Sequence, residues 1–224
     1  MLTHLEVPPH MHRNHKGALD GGPERTGELL ISLAARQMGF ESLADVDVLD
    51  VGCGVRFTMT FINRAIPIKS YTGVEVESNI VDYLKAHVEG KDSRFTYRLW
   101  DVYNDLYNRD GVPLAQAEPL PVDKKFDVIW LFSVFTHLPP EDAAGLLKIL
   151  RGHIREGGSL FFSAFVDDSI ERFEDRIPDQ PLLRAFFGRQ YLRSLIESSG
   201  WSIEGEYERD PENYIQNYFV CRPV

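Results

Sequence analysis

The run from Val48 to Gly54, Val-Leu-Asp-Val-Gly-Cys-Gly, constrains the fold of this chain more than any other segment. Its apolar residues around one acid predict a buried strand, and its two glycines predict a tight turn at the end of that strand. Glycines in such a turn let a ligand approach the backbone, which side chains would otherwise block. The acid, Asp50, favours a ligand that carries positive charge or hydrogen-bond donors. The run therefore predicts a ligand site at the end of a strand.

Apolar runs and helical periodicities alternate along the rest of the chain. Strands are predicted at 46–51, 71–76, 95–99, 126–132, 159–165, 201–207 and 214–221. Helices are predicted at 26–38, 58–64, 78–87, 140–155 and 190–199, with Ser78 as a helix N-cap. This alternation predicts an α/β fold with an open, mostly parallel seven-stranded sheet and helices on both faces. The last two strands are expected to run antiparallel.

The chain is predicted to form one domain over residues 1–224. Residues 1–24 are rich in His, Pro and Gly and are expected to be irregular, and residues 166–188 are expected to form a lid over an acceptor site. Four histidines in the first segment could bind a metal or line the acceptor pocket, but a flexible, solvated segment is the expectation and no metal site is predicted. These histidines are His4, His10, His12 and His15.

Composition narrows the class of protein. A net charge of −10 and a sequence pI of about 5.2 disfavour a nucleic-acid-binding surface. No apolar stretch is long enough to cross a membrane, and the first residues do not resemble a secretory signal. Of the two cysteines, Cys53 lies in the glycine turn, so a disulfide with Cys221 is not expected. These features predict a cytoplasmic protein.

Polar residues and glycines recur where predicted strands end. In open α/β sheets ligands bind beyond the carboxyl ends of the strands, so these residues should face one crevice. They are Asp50 with Gly52-Cys53-Gly54, then Glu75, Asp101, and Leu131-Phe132-Ser133. This set resembles the Rossmann-like S-adenosylmethionine-dependent methyltransferases. The resemblance covers residues 46–165, and residues 190–220 also fit the pattern of that family. The resemblance is closest to a bacterial subgroup at Asp101-Val102-Tyr103-Asn104, Tyr107-Asn108, Gly111, Phe126-Asp127 and the segment Ser133–Leu138.

The resemblance implies that S-adenosylmethionine is the cofactor. Around its methionine part, the backbone of Gly52, Cys53 and Gly54 would contact the ligand. Asp50 would accept hydrogen bonds near the ammonium group, directly or through water, and Phe132 would offer its backbone carbonyl to it. Cys53 itself is interpreted as a small residue that fits a tight turn, not as a nucleophile.

The resemblance also implies contacts at the other end of the cofactor. Glu75 would bind both ribose hydroxyls, because a carboxylate has two acceptor oxygens, and Val76 would line the site beside it. Asp101 would accept from the adenine amino group, and the Val102 amide would donate to the ring. An acid such as Asp101 or Glu75 could instead cap a helix or a turn.

The acceptor is expected to be a small molecule. His137 is the nearest candidate for a general base, and its alternative role is a structural histidine at the start of the next helix. The pair Asp167-Asp168 could face the acceptor or simply begin a polar loop. Four aromatic residues could line the acceptor site or pack within the lid. These are Phe173, Phe186, Phe187 and Tyr191.

Two other functions compete with methyl transfer. A nicotinamide oxidoreductase should carry a third glycine at position 57, where Phe57 stands, and Asp50 would repel its pyrophosphate. A non-catalytic cofactor-binding protein on the same fold is the second alternative, because Val55-Arg56-Phe57 replaces a further glycine common in methyltransferases. Arg56 could pair with the cofactor carboxylate or only fix the loop.

Overall fold

The structure, a computed structural model, describes residues 1–12, 21–177, 179–208 and 216–224. The helices are α1 (Gly22–Gln37), α2 (Arg56–Asn63), α3 (Ser78–Leu84, continued by a π-helical turn over Lys85–Glu89), α4 (Pro140–Arg151) and α5 (Arg189–Ser198). The first strands are β1 (Leu43–Val51), β2 (Ile68–Glu75), β3 (Phe95–Leu99), β4 (Phe126–Leu131) and β5 (Ile154–Val166). The others are β6 (Phe173–Asp175), β7 (Ala185–Phe187), β8 (Trp201–Tyr207) and β9 (Asn217–Pro223).

Seven strands form the predicted open sheet. Strands β3, β2, β1, β4 and β5 are parallel neighbours in that order, β9 pairs antiparallel with β5, and β8 pairs antiparallel with β9. The chain order reverses between β1 and β4, which is the switch point where ligands bind in such sheets. In that region Asp50 lies opposite Gly73 on one side and Trp130 on the other.

Side chains alternate between two apolar layers, one on each face of the sheet. Val48 of β1 and Trp130 of β4 pack with α1, α2 and α3, whereas their neighbours Leu49 and Leu131 pack with α4 and α5. Strands buried on both faces are typical of parallel sheets covered by helices. The predicted α/β class with helices on both faces is therefore confirmed.

The first residues pack on the helices. Leu5 and Val7 are buried. The Asn63 side chain forms two hydrogen bonds with the backbone of Leu5, accepting from its N–H (2.7 Å) and donating to its carbonyl (3.1 Å). The Tyr83 hydroxyl donates to the Glu6 carbonyl. Residues 1–12 are therefore not wholly solvated, because isolated apolar residues anchor them, whereas His4 and His10 are exposed. Helix α1 also begins at Gly22, inside the expected irregular segment.

Several element boundaries differ from the sequence prediction. Helix α2 begins at Arg56, directly after the glycine turn, and Ser78 is the first helical residue of α3 while Glu77 holds the N-cap position. Strand β5 begins at Ile154 and contains the glycine pair 157–158 expected to precede it. These glycines fall where the β4–β5 register shifts, and Gly157 has a φ of +73°. Two residues of the last predicted strand, 214–215, lie outside the described residues.

Residues 166–188, the expected lid, contain two short strands. Strand β7 continues the sheet by pairing parallel with the end of β5, Phe165 opposite Phe186, and β6 pairs antiparallel with β7. These strands have three residues each, too short to produce a pattern in the sequence. In the described residues no helix combines the length and apolarity that crossing a membrane requires.

Candidate functional site

The turn after β1 leaves bare backbone at the carboxyl edge of the sheet. Gly52 and Gly54 have φ values of +75° and +48°, which glycine adopts readily. The N–H groups of Gly52 and Cys53 donate to the Val74 carbonyl at 2.8 and 3.2 Å. A Cβ on Gly52 would lie 2.6 Å from Cγ2 of Val134, whereas one on Gly54 would meet no atom of the described residues within 4 Å beyond its chain neighbours. Gly52 is thus required for packing, and Gly54 faces open space.

Glu75 joins that turn to the end of β2. Its Oε2 accepts from the Gly54 N–H at 2.9 Å, and its Oε1 accepts from the N–H groups of Val76 (2.7 Å) and Glu77 (3.3 Å). The residue is only 1% exposed. Three backbone amides therefore orient one carboxylate at the predicted ligand crevice.

Asp50 lies beneath the glycine turn and is buried. The Tyr71 hydroxyl donates to its Oδ2 at 2.5 Å. Burial raises the pKa of Asp50, the Tyr71 hydroxyl and the nearby Trp130 indole oppose this, and the negative charge of Glu75 adds to the rise, so that the pKa is about 7. The indole Nε1 of Trp130 forms no hydrogen bond of usual geometry with any described residue, so its effect on Asp50 is one of proximity. Asp50 is thus a carboxyl group that can change charge near neutral pH.

Two residues of the glycine segment serve packing. Cys53 is buried, and a Cβ on Gly73 would lie 2.8 Å from its sulfur, so the thiol fills the space over β2. Phe57 is also buried, with its ring centroid 5.4 Å from that of Trp130 and 4.8 Å from that of Phe132. The position where a dinucleotide-binding motif needs glycine thus carries a core side chain.

Asp101 follows β3 and is exposed. Its Oδ1 accepts from Nδ2 of Asn108 at 2.9 Å, and the same nitrogen donates to the Val102 carbonyl at 3.1 Å. Gly111 is required beside them, because a Cβ there would lie 2.5 Å from that nitrogen. The Val102 N–H donates to the Trp100 carbonyl at 2.8 Å. The use of this amide by a ligand therefore stays a prediction.

His137 connects three segments at the same edge. Its ring nitrogen Nδ1 lies 3.0 Å from the Leu182 carbonyl, its own carbonyl accepts from Asn104 Nδ2 at 3.2 Å, and the Tyr107 ring meets its ring edge-on at 5.6 Å. A carbonyl oxygen can only accept, so Nδ1 must carry the hydrogen. In the neutral ring Nε2 is then the basic nitrogen. The sequence pointed to His137, but not to its partner Leu182.

The turn after β4 is bonded to residues that the sequence did not single out. The Ser133 N–H donates to Ser163 Oγ at 2.8 Å, and its own Oγ accepts from Gln216 Nε2 at 2.8 Å. Ser163 and Gln216 are buried. In the sequence, each of these two is a polar residue within or beside an apolar strand, and that pattern does not by itself indicate a ligand site.

The aromatic residues of the expected acceptor lining are mostly packed. Phe187 is fully buried and meets Phe173 edge-on at 5.3 Å, and Phe186 stacks on Phe165 at 4.7 Å. The guanidinium of Arg172 lies over the Tyr191 ring at 4.7 Å. These contacts favour the interpretation as internal packing.

The acids after β5 begin a polar loop held by ion pairs. Asp167 pairs with Arg176 at 2.5 Å, and Asp168 pairs with Arg189 at 2.7 Å. Within the described part of the chain, no group of three or more His, Cys, Asp or Glu side chains could hold a metal ion. His4 and His10 are exposed, and His15 lies outside that part.

Comparisons with known proteins point to one family. A family model described as a methyltransferase domain matches residues 22–205. The ubiquinone biosynthesis O-methyltransferase of Coxiella burnetii is 28% identical over 116 residues, covering 52% of this chain and 42% of that protein. The mitochondrial protein of the same name from Candida albicans is 24% identical over 157 residues, covering 70% of this chain and 44% of that protein. The chain therefore spans less than half the length of these relatives.

Solved structures share the fold. The glycopeptide N-methyltransferase MtfA complexed with S-adenosyl-L-homocysteine superposes with a TM-score of 0.63 at 14% identity, covering 96% of this chain and 95% of that one. The magnesium protoporphyrin IX methyltransferase ChlM from Synechocystis PCC 6803, with bound S-adenosylmethionine, superposes with a TM-score of 0.56 at 15% identity, covering 94% and 88%. At these identities the likeness concerns the fold.

Proposed function

The chain belongs to the methyltransferase domain family, and on this premise we propose that it transfers the methyl group of S-adenosylmethionine to a small-molecule acceptor by direct in-line displacement. The observation that carries the proposal is the hydrogen bond from Gly54 to Glu75. It places an oriented carboxylate next to bare glycine backbone at the switch point of the sheet. A polyhydroxylated ligand with a cationic end fits that combination better than a pyrophosphate does.

Glu75 accepts hydrogen bonds from the two ribose hydroxyls in this proposal. Its amide bonds support the role, because they fix the carboxylate plane before the ligand arrives. A carboxylate has about four acceptor positions, so the long bond from the Glu77 N–H (3.3 Å) must give way to the second hydroxyl. Val76 lines the ribose beside it. At the adenine end, Asp101 accepts a hydrogen bond from the amino group, while Asn108 Nδ2 donates to its Oδ1. The Val102 N–H must exchange its bond to the Trp100 carbonyl for one to the adenine ring.

The methionine end of the ligand lies against the backbone of residues 52–54. The absence of a side chain at Gly54 supports this fit, because among the described residues a Cβ there would meet nothing within 4 Å beyond its chain neighbours. The Phe132 carbonyl accepts from the ammonium group. Asp50, one strand position below the turn, supplies negative charge beneath it. A cationic ligand stabilises the ionised carboxylate, so binding should lower the pKa of Asp50 from about 7.

When bound, the cofactor supplies a methyl group on a cationic sulfur, which is already a good leaving group. The protein then needs to align the acceptor and exclude water. His137 takes the proton that a hydroxyl acceptor loses, through Nε2. The bond from Nδ1 to the Leu182 carbonyl supports this role, since it fixes the required tautomer.

The acceptor in this proposal is a small hydroxylated molecule. Support comes from the relatives named ubiquinone biosynthesis O-methyltransferases, although this chain spans less than half their length. The net charge of −10 argues against nucleic acid as a partner. Residues 166–188 act as the lid of a single domain over 1–224. We place the protein in the cytoplasm, because Cys53 and Cys221, both described, form no disulfide.

A non-catalytic cofactor-binding protein is the second candidate. The observation that favours it is the start of α2 at Arg56, which leaves a short loop where methyltransferases often have a further glycine. In either case Phe57 is buried, so nicotinamide dinucleotide binding is disfavoured.

The proposed function is tested by calorimetry followed by turnover. We expect S-adenosylmethionine and S-adenosylhomocysteine to bind at one site per chain, and NAD to produce no heat. With a panel of phenols, catechols and aliphatic alcohols, at least one acceptor should release S-adenosylhomocysteine. Binding without turnover on any acceptor would favour the non-catalytic protein, and no binding at millimolar ligand would reject both candidates.

A further inference from the structure

The turn after β4 holds one residue in an unusual conformation. Ser133 has a φ of +58°, in the left-handed region that residues other than glycine rarely adopt. Such residues persist where the surrounding structure imposes the conformation, and they concentrate at functional sites. The carbonyl of Ser133 accepts from the Thr136 hydroxyl at 2.9 Å, which closes the turn on its far side.

Two buried side chains from other strands hold Ser133. Ser163, on β5, accepts from its N–H, and Gln216, the residue before β9, donates to its hydroxyl, both at 2.8 Å. Ser163 is 0% exposed and Gln216 is 7% exposed. Buried polar groups are costly unless bonded, so these contacts define one geometry for the turn.

The held residue lies between two groups of the site. Phe132, immediately before it, carries the carbonyl assigned to the ligand's ammonium group. Val134, immediately after it, occupies the space next to Gly52, where a Cβ would lie 2.6 Å from its Cγ2. A change at Ser133 would therefore move both the carbonyl and the wall of the glycine turn.

We propose that Gln216 and Ser163 are positioning residues that hold the Phe132 carbonyl in the direction that accepts from the cofactor's ammonium group. The inference rests on the proposed function. It assigns a task in ligand binding to one residue of β5 and to the residue before β9, both of which act through Ser133. The effect of either residue should then be confined to ligands that carry the amino-acid group.

The test compares two ligands by calorimetry. S-adenosylhomocysteine carries the ammonium group, whereas 5′-methylthioadenosine shares the adenine, ribose and thioether but lacks the amino-acid part. In Gln216→Ala we expect S-adenosylhomocysteine to bind about 3- to 10-fold more weakly, the effect of one lost hydrogen bond, and 5′-methylthioadenosine to bind as in wild type. Ser133→Ala should show the same loss, and the double variant should not add to it.

Controls separate positioning from folding. Gln190→Ala, at an exposed site on α5, should leave both affinities unchanged. If Gln216→Ala does not fold, Ser163→Ala removes the other bond to Ser133 and should show the same selective loss. Equal weakening of both ligands, or unchanged S-adenosylhomocysteine affinity, would overturn the inference alone. A wild-type protein that binds neither ligand would overturn the proposed function as well.

Discussion

The backbone N–H of Gly54 donates to Oε2 of Glu75 across 2.9 Å, so the turn after β1 and the end of β2 form one hydrogen-bonded unit. The other carboxylate oxygen accepts from the N–H groups of Val76 and Glu77. Both oxygens therefore act as acceptors from the backbone. A change in this carboxylate should alter the ligand site and the turn together.

Glu75→Gln should weaken S-adenosylhomocysteine binding by about 10-fold or more, since hydrogen bonds to charged groups contribute about 1.5–3 kcal/mol. A side-chain amide has one acceptor oxygen, so its NH₂ group would face at least one backbone N–H. Glu75→Ala should lose more, because both ribose contacts disappear. Calorimetry measures both affinities. Glu41→Gln, exposed near the amino end of β1, is the control, and wild-type affinity in Glu75→Gln would refute the ribose assignment.

Gly54→Ala should separate binding from folding. Its φ of +48° disfavours alanine by about 1–2 kcal/mol, but in the described part of the chain only the neighbouring residues come within 4 Å of the added methyl group. We expect a modest loss of stability and a large loss of S-adenosylhomocysteine affinity, because the methyl group occupies the space given to the ligand. Gly39→Ala introduces similar strain (φ +83°) in open space at the end of α1. It should lose stability alone, and an equal effect of both variants on affinity would argue against the site.

His137→Gln should lower kcat by about 10²- to 10⁴-fold, the usual contribution of a general base, with S-adenosylhomocysteine affinity unchanged. Steady-state kinetics on an acceptor found in the panel measures the first quantity, and calorimetry measures the second. His10→Gln, at an exposed site, should behave as wild type. Full turnover in His137→Gln would assign the histidine to the structural role of holding Leu182.

Asp50→Asn should change how stability depends on pH. Burial raises the pKa of Asp50 from 3.8 to about 7, so the folded protein retains a proton there that the unfolded chain has lost. The contribution of Asp50 to the free energy of unfolding is thus fully present below about pH 4 and declines as the pH rises to about 7. The asparagine variant lacks this decline, so its stability relative to wild type should be greater at pH 8 than at pH 4. Parallel curves from urea unfolding would contradict the assignment.

Asp47→Asn should destabilise the protein with the opposite pH dependence. Asp47 lies at the opposite edge of the sheet and accepts hydrogen bonds from Lys69 and Arg155, both at 2.9 Å, and from Ser70. Burial opposes its ionisation, but these donors and the charge of Lys124 outweigh burial and hold the pKa of Asp47 well below 3.8.

The stabilising effect of Asp47 is therefore present above about pH 4 and lost as the pH falls below it. At pH 7 we expect Asp47→Asn to lower the free energy of unfolding by about 1–3 kcal/mol, the range for a hydrogen-bonded charge whose partners are partly exposed. Between pH 4 and pH 2 the difference between the two proteins in urea unfolding should shrink steadily. A constant difference at both pH values would show that packing, not charge, explains the loss. Asp45→Asn, exposed on the same strand, is the control.

The order of strands and helices could be predicted because long apolar runs and helical periodicities produce strong local patterns. Strands β6 and β7 could not, since each has three residues and is held by pairing with the distant end of β5. Leu5 and Val7 are single apolar residues in a polar segment, so their burial depends on helices that form later in the chain.

Within the site, the sequence pointed to the residues at strand ends but not to their partners. Glu75 could be singled out because it follows an apolar strand, whereas its bond to Gly54 depends on the β1–β2 register. The bonds of Ser133 to Ser163 and Gln216 link three strands, so no local pattern records them. The expectation that Asp167-Asp168 could face the acceptor neglected the arginines that pair with them.

The most direct test of the central claim is a crystal structure of the protein with S-adenosylhomocysteine. We predict that the ribose hydroxyls lie within hydrogen-bond distance of Glu75, that the ammonium group lies at the Phe132 carbonyl, and that the adenine amino group lies at Asp101. Ligand density at another place on the chain, or ribose oxygens beyond hydrogen-bond distance of Glu75, would contradict the account.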